Sequence, residues 1–408
     1  MKDLYFDVRD VFRTSRIALS GKKIWVHLLG LLSGWSSYFI MTYIALLAAG
    51  QSIPEIWNNF HLFPCLFGST VALPWFSWLI YAVGILIWVF LFLFFSTAVS
   101  RISYKQLKGD EFFSSGDAFQ YAKKHAKAAL FSPISILLII AFFIIMAIIA
   151  AWIAQWPVLD IVFFGLPYLL YFVVAVFVIY TALSFIIALL LGPSIVGTAE
   201  EDTMETVFQS YSTLWAQPWR LVCYEVVVGA TTALSTFIFG YFMIAGYKFF
   251  NFVFGQNWLM GGKLTNIVEK ASSYIWGANS TLSGIVAKIF RIEPSSVVGS
   301  ASLAGTEVVV AILVTISLFL IGASVVAYAL TNITVGQSLI YVILRKKKDS
   351  ESLLERKDED EIEEEEEMED IPDIEDEEFT EEEFDEDLEE DEEESSESGQ
   401  ETEDEDKG

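Results

Sequence analysis

The sequence predicts an all-α fold: a polytopic membrane protein with about six transmembrane helices, amphipathic connector helices and a disordered acidic C-terminal tail. Three observations predict it. The 408-residue chain is 54% apolar, yet its formal charge is -28. That charge sits at one end: residues 349–408 hold 37 Asp and Glu against three basic residues, whereas residues 1–348 hold 22 Lys and Arg against 16 acids. The body also contains six long runs almost free of charge, each able to cross a hydrocarbon core.

Residues 3–18 pattern as a short amphipathic helix, with Leu4, Val8, Val11, Phe12 and Ile17 on one face and Asp7, Arg9, Asp10 and Arg13 elsewhere. Such a helix lies in the headgroup region and makes residues 1–23 a cytoplasmic N-terminal element. About twenty mixed residues precede the first apolar run, which argues against a cleaved signal peptide. The first span is expected at about 24–49. The loop after it, 50–73, has no Lys or Arg and carries Trp57, Phe60, Phe63 and Phe67, as a loop against the bilayer interface should.

The second span, about 74–99, leads into a basic connector bearing Arg101, Lys105, Lys108, Lys123, Lys124 and Lys127. Ser114 with Asp117 matches a capping-box start, and Ala118, Ala122, Ala126 and Ala129 fall on one helical side. The third span follows at about 132–153. A short loop without Lys or Arg leads to the fourth, about 162–191, with Pro167 early and Pro193 just beyond its end. Residues 198–220 form another amphipathic connector, led by Glu200, Glu201, Asp202 and Glu205.

The fifth span is about 221–249. The longest loop, 250–305, holds apolar residues at helical spacing: Ile267, Ala271, Tyr274 and Ile275, then Leu282, Ile285, Val286 and Ile289. The sixth span, about 306–330, continues as a helix to Leu344. The span region is therefore 24–344, and residues 345–408 are a basic stop followed by the tail. The connector segments hold 17 Lys and Arg, the two short loops none, so both chain ends face the cytoplasm of a cell membrane.

Each odd-numbered span is preceded by a similar element: Asp10-Val11-Phe12-Arg13, Asp117-Ala118-Phe119-Gln120, and Glu205-Thr206-Val207-Phe208-Gln209. Three copies of connector, span, span would explain that. The connector at Glu205–Ser212 is similar to those of bacterial multipass proteins, including the membrane domain accompanying some glycerophosphodiester phosphodiesterases. Ser100-Arg101-Ile102-Ser103, the run Asp117–Ala122 and Ile340–Arg345 resemble an uncharacterised family of bacterial integral membrane proteins. The resemblance covers only these stretches and implies no activity.

Chemistry-bearing constellations are sparse. Cys65 and Cys223 give neither a disulfide framework nor metal spacing, and His27, His61 and His125 are far apart. No phosphate-cradling Gly loop, HExxH or nucleophile elbow occurs in the body. No cofactor is implied. Glu225 is the one carboxylate about a turn inside a span; a carboxylate there reads as a coupling or gating group or, more plainly, as one that snorkels to the cytoplasmic interface or finds a neighbouring donor. The strip Gly229, Ala230, Thr231, Thr232, Ala233, Ser235 and Thr236, with Ala311, Thr315 and Gly322, reads as a polar pathway or as close helix packing, and packing is preferred. Glu225, Thr232, Ser235 and Thr236 are the candidate intramembrane polar residues. Asn279-Ser280-Thr281 fits a glycosylation sequon.

The tail self-repels and should be more extended than a neutral coil of about 40–50 Å. Ile371, Ile374, Phe379, Phe384 and Leu388 interrupt its acids and mark a segment that could dock on a basic cytoplasmic protein. The expected partners are the lipid bilayer and that protein, with a homo-oligomer left open and nucleic acid excluded. The expected function is a non-enzymatic membrane scaffold or complex component. The competing expectation is a channel or permease subunit for a small or lipidic solute.

Overall fold

The structure, a computed structural model, describes residues 4–66, 73–275, 305–350, 352–358 and 362. The chain divides into two units, Met1–Arg356 and Lys357–Gly408. Among the described residues every regular element is a helix, and six are long and apolar enough to cross a membrane. This is a multi-pass membrane protein. The docking residues Ile371, Ile374, Phe379, Phe384 and Leu388, Phe67, the sequon and the second half of the long loop lie outside the described residues.

In the first unit, α1 (Val8–Val11) and α2 (Thr14–Ala18) precede the first span, α3 (Gly21–Ala48). The short α4 (Ile53–Phe60) leads to the second span, α5 (Trp75–Lys108). A connector α6 (Ser115–Lys124) precedes α7 (Ala126–Ile153), and a π-helical turn at Ile161–Gly165 leads to α8 (Tyr168–Ala199). A connector α9 (Thr203–Ala216) precedes α10 (Pro218–Phe254). Then α11 (Gly262–Ile275) and α12 (Gly305–Asp349) complete the unit. The connectors mark one face of the bundle, the connector face; α4 and α11 mark the other, the loop face.

Local chemistry starts and stops these helices as expected at several points. Ser114 caps α6 by accepting from the Asp117 amide at 3.1 Å, and Asp202 caps α9 by accepting from Glu205 at 2.8 Å. Gly109 ends α5 in the left-handed conformation (φ 113°), and the Asp110 amide turns back to the Lys105 carbonyl at 3.0 Å. That geometry favours glycine.

The helices pack in three pairs. The span pairs α3/α5, α7/α8 and α10/α12 each pack together, and α5, α8 and α12 also touch one another pairwise. Connector α6 seats on α5, and α9 on α8 and α7. The first connector seats on α12 and α10, the last span pair, so the pattern closes on itself. Close approach is greatest in the first pair, where a Cβ on Gly30 would meet the Phe95 ring at 2.6 Å and one on Gly34 would overlap Trp88.

Two expectations need correction, both in the N-terminal segment, and the helix ends and loops add detail. The helices that carry the second, fourth and sixth spans continue past 99, 191 and 330, to Lys108, Ala199 and Asp349, the sixth through the expected extension to Leu344; Pro193 lies inside α8, and nearly every residue of 96–107, 191–199 and 331–344 is buried. The rise in polarity there reflects helices meeting one another rather than meeting water. The N-terminal segment has two apolar faces instead of one: Val11, Ile17 and Ala18 are buried in the protein, while Tyr5, Phe12 and Leu19 stay exposed. Asp10, expected in water, is buried beside Arg13 at 3.1 Å. The loop-face elements pack on the spans. Ile267, Ala271 and Ile275 are buried with α11 against α12, and Tyr38 and Tyr43 donate to the Pro64 and His61 carbonyls at 2.6 and 2.9 Å.

Candidate functional site: a polar layer where the spans converge

The three returning spans carry polar residues on the turns that face one another. Ser100 of α5 lies 2.9 Å from Ser338 of α12, and Ser338 lies 3.4 Å from Ser194 of α8. One hydroxyl from each span pair thus meets where the three returning helices converge. A glycine makes the approach feasible: a Cβ on Gly197 would stand 2.7 Å from the Ser100 side chain and 3.0 Å from the Thr97 carbonyl.

His27 of α3 joins the layer and is 1% exposed. Its Nδ1 is 3.1 Å from the Thr331 hydroxyl, and its Nε2 is 3.3 Å from Thr334 and 3.5 Å from Ser96. The Thr331 hydroxyl already donates to the Ala327 carbonyl at 2.8 Å, so it accepts from His27. That places a hydrogen on Nδ1, and Nε2 stands within reach of the Thr334 and Ser96 hydroxyls. No carboxylate orients the ring among these contacts.

Nearer the connector face, Arg101 is fully buried. Its Nη2 pairs with Glu200 at 2.8 Å, and its guanidinium stands 4.2 Å from the centre of the Tyr121 ring. The Tyr121 hydroxyl donates to the Val196 carbonyl at 2.6 Å, fixing the ring beneath the cation. Glu200 terminates α8 with φ 58°, so a β-carbon-bearing residue occupies a position glycine would hold at less cost. Lys23, also buried, donates to Gln106 at 2.6 Å and to the Ile17 carbonyl at 3.1 Å. A charge can be buried here because each is paired or hydrogen-bonded.

Around this layer the connector face is finished by side chains from both ends of the unit. Tyr104 donates to the Leu353 carbonyl at 2.7 Å, Lys347 pairs with Asp7 at 2.8 Å, and Lys346 stands 3.7 Å above the Phe6 ring. The Asp7 carboxyl is held below its ordinary range, first by the hydrogen bond and charge of Lys347. Burial and then Glu205 push the Glu201 carboxyl up. A recess between α9 and α12, bounded by Gln209, Thr213, Tyr341 and Arg345, has room for about one water, as does another beside His27 and Trp88.

The candidate residues of α10 take part only at the edge. Glu225 accepts from Gln337 of α12 at 2.8 Å, which is the neighbouring-donor arrangement. Thr232 is buried, and Ser235 donates back to the Thr232 carbonyl at 3.2 Å. Thr236 is half-buried and lies apart from the serine layer. Only part of the strip packs: Thr232 is buried, whereas a Cβ on Gly229 or Gly322 meets nothing within 4 Å, and Ala230 and Ala233 are exposed. Ala311 and Thr315 pack against α11, with Thr315 3.3 Å from the Ala271 carbonyl.

No protein-family model, curated protein or solved structure matches this chain. The layer's own geometry is therefore what bears on function. Ser100, Ser194, Ser338, His27 and Arg101 were not singled out as site residues from sequence. For the three serines the signal that could have found them is their shared place, near the connector-side end of each returning helix.

Proposed function

We propose that the chain is a non-enzymatic scaffold of the cytoplasmic membrane, with both ends inside the cell, that recruits a basic partner through its acidic tail. The observation carrying this reading is where the packing is concentrated. The last turns of α5, α8 and α12, with the connectors seated on them, form the tightest part of the first unit. A platform of that kind suits a protein whose task is to hold a charged segment at a membrane face. Exposed Lys123, Lys124 and Lys127 on the connector face, against short loops without Lys or Arg, support the orientation.

Affinity capture with the full chain and with a chain ending at Arg356 tests the proposal. The full chain should retain a protein that the shortened one loses; identical captures by both would end the scaffold reading. For orientation, a cysteine replacing Lys123 should react with an impermeant thiol reagent only after lysis, while Cys65 reacts on intact cells. The competing reading, a channel or permease for a small or lipidic solute, draws on the Glu225–Gln337 pair. Solute flux in liposomes that disappears with Glu225→Gln would favour it.

A further inference from the structure

The chain between the first two spans does not stay on the loop face. After α4 it reverses at His61, whose φ of 48° glycine adopts at less cost, and then descends among the spans. The Trp35 indole donates to the Leu62 carbonyl at 3.2 Å. Trp35 sits at the middle of the 28-residue α3, about 20 Å before its loop-face end. The Phe63 ring stands 5.8 Å from Phe319, which lies about as far along α12 from Gly305 and is itself 4.6 Å from Trp35. Two helices therefore give the same depth, well inside a hydrocarbon core about 30 Å thick. The chain then climbs again, and Leu66 is buried with Ala45, Leu46 and Tyr81 near the loop-face ends of α3 and α5.

Backbone that is neither helix nor sheet is stable at such a depth only where the protein satisfies its polar groups. Here side chains of the spans do so. The Tyr43 hydroxyl donates to the His61 carbonyl at 2.9 Å, Trp35 to Leu62, and the Tyr38 hydroxyl to Pro64 at 2.6 Å. Pro64 has no amide hydrogen that needs a partner. With its own hydrogen committed to Pro64, the Tyr38 hydroxyl accepts from Tyr81 of α5 at 3.0 Å, which ties the second span into the same set.

We propose that residues 61–66 are a re-entrant latch, a strap that enters the membrane domain from the loop face and clamps α3, α5 and α12 through bonds that release without unwinding a helix. Its anchors are side-chain donors on main-chain carbonyls, bonds that are strong in hydrocarbon and nearly balanced by water. The strap therefore stays down while its surroundings are apolar and comes free when water reaches it. Tyr38 carries the effect inward: its ring is 5.3 Å from that of Trp88, and Trp88 bounds the recess beside His27. Release of the strap loosens that wall. The latch is independent of what the tail recruits.

The test uses the full chain with Cys65→Ser and Cys223→Ser, in phosphatidylcholine nanodiscs that leave both faces open to solvent. Single cysteines are introduced as Asn59→Cys, Leu62→Cys and Ser338→Cys, and their rates with a charged maleimide are compared. Asn59 is exposed on α4, so its cysteine should react freely, and the one at Leu62 at least 100-fold more slowly. Adding Trp35→Phe and Tyr38→Phe removes two donors while keeping the rings. The Leu62 position should then react at least tenfold faster, with Asn59 unchanged and the buried Ser338 position still unreactive. A rate at Leu62 within threefold of that at Asn59, before the donors are removed, would put the segment on the surface. Continued protection at Leu62 in the double variant would show that these bonds do not hold it. Reaction at Ser338 as well would mean that the spans come apart together and no separate latch exists.

Discussion

Replacing Arg101 by methionine should destabilise the protein by about 3–5 kcal/mol, the usual cost of removing one member of a buried ion pair. Arg101 is fully buried and its partner Glu200 is 7% exposed, so water cannot take over for the lost contact. Methionine keeps most of the apolar stem but leaves the Glu200 carboxylate without its cation. Arg101→Lys should cost less, about 1–3 kcal/mol, because charge remains while the planar stacking on Tyr121 and the guanidinium fork are lost. Glu200 adds a second handle. Its φ of 58° means Glu200→Gly breaks the pair and relieves the backbone, so it should be milder than Glu200→Ala by about 0.5–1 kcal/mol. The assay is unfolding in mixed micelles as the mole fraction of dodecyl sulfate rises. The double variant Arg101→Met/Glu200→Gln should lose clearly less than the two single losses combined, since the second change no longer strands a charge. Strict additivity, or a loss below about 0.5 kcal/mol for Arg101→Met, would refute the pairing argument.

Gly197→Ala should cost about 1–3 kcal/mol, because its methyl runs into the Ser100 side chain and the Thr97 carbonyl, whereas Gly229→Ala should be near neutral; the same unfolding titration measures both. Ending the chain after Lys348 rather than Arg356 should remove Leu353, which is 1% exposed, and with it about 1.5–3 kcal/mol, seen as an earlier thermal aggregation onset. Burial, and secondarily the charge of Lys270, hold the His61 imidazole below its ordinary value. The folded state therefore binds the proton less readily than the unfolded chain. Its contribution to stability is complete above the ordinary imidazole pKa of about 6.5 and is lost as pH falls through that value toward the lower folded one. Melting curves from pH 7.5 to 5.5 should consequently fall more steeply for the wild type than for His61→Gln.

The features legible in the sequence were those set by long-range composition. Charge-free runs marked six spans, and the spacing of Ser114 with Asp117 marked the start of a connector that the structure caps at that serine. What hydropathy could not distinguish was a polar residue entering water from one entering a polar contact. Ser100, Ser194 and Ser338 look like chain leaving the bilayer, yet they are buried against one another. Asp10 failed for the same reason, since an acid on an amphipathic pattern is indistinguishable from an acid beneath another helix. The strip around Thr232 was legible in part: Thr232, Ala311 and Thr315 are buried, but small residues only permit close approach, and no neighbour stands beside Gly229.

The seating of α1 and α2 on the last span pair has a topological consequence. Phe6 and Asp7 touch Lys346 and Lys347 directly, so the two extremities of the first unit lie side by side. A few residues would join them, and the polypeptide could then be opened at another connector. A circular permutant beginning at Ser114 would preserve every interhelical neighbour while moving the break from the third repeat to the first. The order in which the hairpins leave the ribosome would change, and the finished architecture would not.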